Sequence, residues 1–182
     1  IEVFKAMGAA ARDQAPSLAA LLKHEDDQVR LAAIEVLEAM GPAAREQAPH
    51  LGERIQDSHS QVRVAAARAL GALREGAREQ IPALVQLLKD ADPHVRSTVV
   101  NVLISMGEIL QDDIPMLVDL LKVPDSEYML RLEVVKVLTA LKHVTIVHMS
   151  RIVPLLEDPN HNVRIAAVDV LAALGPAAMA QA

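Results

Sequence analysis

The sequence predicts an all-α solenoid of helical hairpins, and three recurring marks predict it. The pair Val-Arg stands at Val29-Arg30, Val62-Arg63, Val95-Arg96 and Val163-Arg164, with Leu130-Arg131 as a relative in between, so the arginines lie 33, 33, 35 and 33 residues apart. Prolines recur at Pro16, Pro49, Pro82 and Pro115, each 33 residues after the last. Glycines follow at Gly8, Gly41, Gly107 and Gly175, with Arg74 and Lys142 in the two remaining slots. Self-similarity at a fixed period is the signature of stacked units that cannot bury an apolar face alone. Composition agrees. The chain is 52% hydrophobic and 23% charged, which excludes a disordered chain. Its only aromatics are Phe4 and Tyr128, so the core must be aliphatic, and 30 alanines point to closely packed helices.

Residues 1–182 read as a single array. Residues 1–15 are a partial unit, Ile1 to Met7 matching the second half of a helix B and Gly8 its stop. Five hairpins follow, at about 16–41, 49–74, 82–107, 115–142 and 150–175, and residues 176–182 start another. Both ends fall within repeats, so the chain is expected to be a fragment of a longer solenoid. Helix A of each hairpin opens at its proline, where no intrahelical N–H partner is needed. It carries an i, i+3, i+4 stripe: Leu18, Leu21, Leu22; Leu84, Leu87, Leu88; Leu117, Leu120, Leu121. A polar turn follows. Asp92 then caps helix B of the third hairpin, with Pro93 in its first turn. Helix B buries Val29, Ala33, Leu37 and Met40, or their equivalents Val95, Val99, Leu103 and Met106. Glycine ends it with an expected left-handed backbone, and Pro42 and Pro176 forbid continuation.

Two hairpins depart from the pattern. Two extra residues within 123–127 lengthen the A–B turn of the fourth. The fifth has Ser150 in the proline slot and Pro154 inside helix A, which predicts a late start or a kink. Residues 142–149 replace the Ala-Arg-Glu-Gln turn of earlier units. Val99 and Val134 stand where Ala33, Ala66 and Ala167 stand elsewhere, so helix spacing, and with it curvature, is expected to change there.

The pattern resembles the HEAT repeat, an armadillo-like helical repeat, and especially the short form of phycobilisome-lyase-like proteins. The third hairpin carries the resemblance: Pro82-Ala83-Leu84 through Leu87-Leu88, the turn acid Asp90, then Val95-Arg96. Ankyrin repeats would need a Thr-Pro-Leu-His block, and tetratricopeptide repeats a Trp- and Tyr-bearing signature. Neither is present. The resemblance implies a right-handed α-solenoid of HEAT-type hairpins. It also implies that Arg30, Arg63, Arg96, Arg131 and Arg164 form a structural ladder with Asp57, Asp90, Asp125 and Asp158 between neighbouring repeats.

Catalytic and cofactor chemistry finds no foothold. Cysteine is absent, so there is no disulfide, thiolate zinc site or cysteine nucleophile. No Gly-x-Ser-x-Gly elbow, phosphate loop or His-Glu-x-x-His helix occurs. His24, His59, His94 and His161 fall near successive A–B turns, spaced a repeat apart rather than converging as a metal requires. His24-Glu25 is a single His-Glu pair, where di-iron HEAT-like hydroxylases need several. A net charge of −6 and the scarcity of aromatics argue against nucleic acid. No apolar run approaches a membrane span and no signal-peptide pattern is present. The expected setting is soluble and intracellular, with no enzyme activity, no cofactor and no metal.

What remains is a surface. The resemblance implies that the B helices line the concave side. Counted from each Val-Arg arginine, the core uses positions −1, +3, +7 and +10, so +1, +5 and +8 should face outward. That stripe supplies the candidate partner-binding residues: Leu31, Glu35, Val64, Arg68, Asn101, Ile104, Leu132, Lys136, Ile165 and Asp169. Its mixture of apolar groups and both charge signs suits a protein or helical peptide. Ile104 and Leu132 mark the apolar stretch expected to be the contact. The expected function is a non-catalytic scaffold or adaptor with a protein partner. Two alternatives stand beside it: a bilin lyase-type subunit acting on a light-harvesting protein, as the resemblance implies, and a passive spacer in a larger complex.

Overall fold

The structure, a computed structural model, describes residues 9–175, with side chains from residue 15 onward. The described residues are mostly helical, α-helices and 3-10 segments joined by short turns, and no strand occurs among them. The chain divides into two compact units, Ile1–Val102 and Leu103–Ala182.

In the first unit, α1 (Ala9–Leu21) and α2 (Asp27–Met40) form one hairpin, and α3 (Ala48–Arg54) and α4 (Ser60–Leu73) the next. Then come α5 (Ile81–Gln86) and α6 (Pro93–Met106), the last carrying the unit boundary. The B helices start where the sequence places caps. Asp26 Oδ1 accepts the Gln28 N–H at 2.8 Å, and Asp92 Oδ1 accepts the His94 N–H at 2.8 Å. Each satisfies a donor that a first helical turn leaves without a partner. Behind the caps, Ile34, Leu37, Leu51, Leu70, Leu84 and Leu88 are all but fully buried. Each such side chain contributes about 1.5–3 kcal/mol relative to exposure, so burial of this stripe holds the short helices in place.

The A helices are shorter than the leucine stripe predicts. α5 keeps α geometry for six residues and then tightens into a 3-10 turn, Leu87–Lys89, which lets both leucines stay buried before the chain reverses at Asp90. The expected Ala-Arg-Glu-Gln turns are themselves 3-10 segments, Gly41–Gln47 and Arg74–Gln80. Pro49 and Pro82 sit in the first turn of their helices, but α1 runs through Pro16 rather than opening at it. Gly8 and residues 176–182 lie outside the described residues.

The expected left-handed stop is corrected in its details. Gly41 has φ +55° with ψ −134°, and Arg74 has φ +56° with ψ −126°. This is the mirror of the extended region, which glycine enters freely and an arginine enters under strain. Lys142, in the same slot of the fourth hairpin, avoids positive φ. There the helix ends instead at Leu141, with φ −92° and ψ 32°.

In the second unit, α7 (Ile114–Asp119) and α8 (Tyr128–Ala140) flank the lengthened turn, whose extra residues fold into a 3-10 turn, Asp125–Glu127. α9 (Lys142–Thr145), α10 (Met149–Ile152) and α11 (His161–Leu174) complete it. The anomaly read at Pro154 is a change of helix type: α10 gives way at Val153 to a 3-10 segment, Val153–Glu157. Asn160 caps α11 by accepting the Asn162 N–H at 2.8 Å. Val134, Val137, Leu138, Ile152, Ala167 and Val170 form the interior. Thr145, fully buried, is satisfied by donating to the Leu138 carbonyl at 2.9 Å.

Candidate protein-binding groove

Each Val-Arg arginine is anchored first by its own turn. Nη1 of Arg30 donates to the carbonyls of His24 and Glu25, that of Arg63 to Asp57 and Ser58, and that of Arg96 to Asp90 and Ala91. Nη1 of Arg164 does the same to Asp158 and Pro159. The A–B turn is thereby tied to the helix it launches, and in Arg30 and Arg63 the rest of the guanidinium reaches the next repeat. Arg30 grips Asp57 at 2.8 and 2.9 Å, and Arg63 grips Asp90 at 2.7 and 2.8 Å. Both are two-pronged pairs, the strongest geometry a guanidinium offers a carboxylate. Burial alone pushes the Asp57 and Asp90 carboxyls up. The arginine hydrogen bonds, the backbone N–H groups of His59 and Asp92, and the arginine charges reverse that, holding both below the usual carboxylate range.

The ladder changes partners further along. The pairs above span 27 residues, and 27 beyond Arg96 stands Val123. Arg96 Nε is buried without a hydrogen-bond partner. Arg131, expected to reach Asp158, turns back instead. It donates to the carbonyls of Leu121 and Val123 and lies 3.2 Å from Asp125 of its own hairpin. The two extra residues carry Asp125 to that place. Asp125 also accepts from the Asn160 amide at 3.0 Å. The Asn160 and Asn162 side chains hold its carboxyl below the ordinary value. Asp158 accepts the Asn160 N–H at 2.9 Å. No group of three or more metal-ligating side chains is found among the described residues.

The outward stripe divides by unit. In the first, Val64 is only 8% exposed, so its placement on an accessible face is corrected. Leu31 is half-buried and Glu35 exposed. Arg68 pairs with Glu38 at 2.8 Å, so two of the stripe's charges neutralise each other across repeats. Asn101 is exposed. In the second unit the stripe opens. Leu132 is 49% exposed and Ile165 45%. Ile104 is half-buried and lines no part of the groove described next, so the apolar partner of Leu132 is Ile165 rather than Ile104.

Between α8 and α11 lies a groove of about 400 Å³. Tyr128, Leu132, Val135, Ile165 and Ala166 form its apolar lining, and Asp125, Arg131, Asn162 and Asp169 its polar margin. Arg131 is buried and occupied, so the accessible charges are the two aspartates. Lys136, nearby on α8, is held 2.9 Å from the buried Glu133. Tyr128, Val135 and Asn162 lie outside the stripe counted from the arginines. Tyr128 stands one turn before Leu132 on the same face, so extending the stripe N-terminally would have found it. Met129, Val147, Leu156 and Val168 are further exposed large hydrophobics of this unit, whereas Leu21 stands alone in the first among the described residues.

The model of the HEAT repeats family matches residues 1–71 and 48–131, and that of the HEAT repeat matches residues 149–178. The chain belongs to the HEAT repeat family. Comparison with curated protein sequences finds no match. Among solved structures, the HEAT chain is similar to the N-terminal domain of MAST/Orbit, with 19% identity, 86% of this chain and 81% of that one covered, and a TM-score of 0.62. It is similar to the archaeal HEAT-like repeats protein of Thermococcus onnurineus NA1, at 17% identity, 94% and 74% coverage and a TM-score of 0.57. An engineered protein aligns at 22% identity, 95% and 85% coverage and a TM-score of 0.55. These likenesses establish the fold alone. HEAT repeats are typically interaction scaffolds, and the fold is generally non-catalytic. No helix among the described residues is long and apolar enough to cross a membrane.

Proposed function

We propose that this HEAT chain is a non-catalytic scaffold or adaptor that holds a protein partner on the B-helix face of its second unit. The groove carries the reading. Tyr128, Leu132 and Ile165 are large side chains left in water side by side, where the equivalent Val64 of the first unit is buried. Leaving such a patch exposed forgoes burial energy within the fold, and a partner that covers it recovers that energy.

The test compares capture from lysate by the natural chain and by a Leu132→Asp/Ile165→Asp variant, with helicity and melting measured on both. Both positions are about half exposed, so the variant should keep its fold, at a cost of about 1–2 kcal/mol at each. A protein retained by the natural chain and lost by the folded variant is the expected result. Equal retention by both would remove this groove from the interaction.

A further inference from the structure

The same groove constrains what kind of segment fills it, an inference that rests on the partner-binding reading above. Its walls are two B helices, α8 and α11, whose backbone N–H and C=O groups beyond the terminal turns are spent on their own hydrogen bonds. An extended segment laid between them would find no main-chain partner, and its own peptide groups would be stranded against Leu132, Ile165 and Ala166. A helix brings its peptide groups already paired and offers apolar side chains at i, i+3 and i+4. The lining runs from Tyr128 to Val135 on one wall and from Asn162 to Asp169 on the other, about 10 Å each, the length of two turns of a partner helix.

Charge selects among helices. The accessible charges on the margin are Asp125, 57% exposed at its side chain, and Asp169, also exposed. Asp125 is already engaged by Arg131 and Asn160, whereas no ion pair or hydrogen bond joins the Asp169 side chain to another of the described residues. The one cation in the lining, Arg131, is buried and committed to carbonyl oxygens. A second copy of the chain would bring the same two aspartates and a net charge of −6, so its approach is opposed.

We propose that the α8–α11 groove binds an amphipathic helix whose apolar side chains pack on Tyr128, Leu132 and Ile165 and whose Lys or Arg meets Asp169. Tyr128 provides a built-in reporter. It is the only tyrosine and there is no tryptophan, so intrinsic emission reads the groove itself.

The probes are three synthetic peptides without aromatics: a Leu/Ala helix with Lys beside the leucines, its Glu counterpart, and the Lys peptide broken by two prolines. They are titrated into the intact chain and into Asp169→Lys and Ile165→Asp variants. The Lys helix should change Tyr128 emission and bind about tenfold more tightly than the Glu helix, with the margin shrinking in salt. Asp169→Lys should reverse that preference, and Ile165→Asp should abolish binding of both. Equal affinity for the two charge forms, binding of the proline-broken peptide as tight as that of its parent, or binding without any change in Tyr128 would overturn the proposal. So would a dimer in sedimentation that Ile165→Asp dissolves, since the occupant would then be a second copy. If no peptide binds, the helix class fails. The scaffold reading is judged separately, by whether the Leu132→Asp/Ile165→Asp variant loses a protein that the natural chain retains.

Discussion

The Arg30 guanidinium grips the Asp57 carboxylate of the following repeat with two prongs, Nε to Oδ2 at 2.8 Å and Nη2 to Oδ1 at 2.9 Å, with both side chains buried. One residue thus joins two repeats, since Nη1 of the same arginine holds the carbonyls of its own turn. Removing Asp57 leaves Nε and Nη2 of Arg30 without their acceptor in a dry site, whereas removing Arg30 leaves Asp57 the His59 N–H and Arg54 at 3.8 Å. Asp57→Ala should cost about 3–5 kcal/mol, and Arg30→Ala less. Replacing both by apolar residues, Arg30→Met with Asp57→Leu, should recover much of that loss, because the penalty comes from an unpaired buried charge. Denaturant melts of the two single variants and the double variant test this.

The same pairs set a pH dependence. Asp57 and Asp90 are held below the ordinary carboxylate value in the folded chain. A depressed carboxylate contributes stability that is fully present above its unfolded value, about pH 4, and is lost as pH falls through the folded value. The melting temperature should therefore decline as the solution is acidified from about pH 5 downward. An Asp57→Asn/Asp90→Asn variant should be less stable near neutrality and show a flatter acid limb. Parallel acid limbs for the two proteins would count against these carboxylates.

Arg74 holds φ +56° and ψ −126°, almost the conformation of Gly41. A side chain in that region carries about 1–3 kcal/mol of strain. Arg74→Gly should raise the melting temperature by a few degrees, and Gly41→Ala should lower it by a similar amount, at about 2–4 °C per kcal/mol for a chain of this size. Opposite signs from the two substitutions are the outcome to look for in calorimetry.

Two other glycines differ in what surrounds them. A Cβ at Gly76 would stand 2.6 Å from the Arg45 Cβ and 3.3 Å from its Cα, where two 3-10 segments meet. Backbone must move to admit it, so Gly76→Ala should cost about 1–3 kcal/mol. A Cβ at Gly52 would meet the tip of the Gln80 side chain, which can swing aside. Gly52 lies within α3, so Gly52→Ala also gains helix propensity and should be close to neutral. Chemical denaturation of both variants gives the comparison directly.

Much of the fold is legible in the order of the residues. Val95, Val99, Leu103 and Met106 occupy positions −1, +3, +7 and +10, and each is fully buried. Asp92 caps as its place before Pro93 implies. The site is less legible. Leu132, Ile165 and Asp169 belong to the outward stripe and do line the groove, but Val64 belongs to it equally and is buried. Residues 123–127 show an insertion when the repeats are aligned with one another, yet nothing local says that Arg131 will abandon Asp158 for Asp125 and two carbonyls.

The division has a physical cause. Helix period, caps and core phase depend on residues within a turn or two of each other, so the sequence by itself determined the hairpins, their order and the faces they bury. The exposure of a stripe residue depends on side chains about one repeat away along the chain, and the partner of a ladder arginine on whether that repeat or its own lengthened turn presents the acceptor. Packing decided those. It covers Val64, opens a groove between Leu132 and Ile165, and leaves Asp169 on its margin.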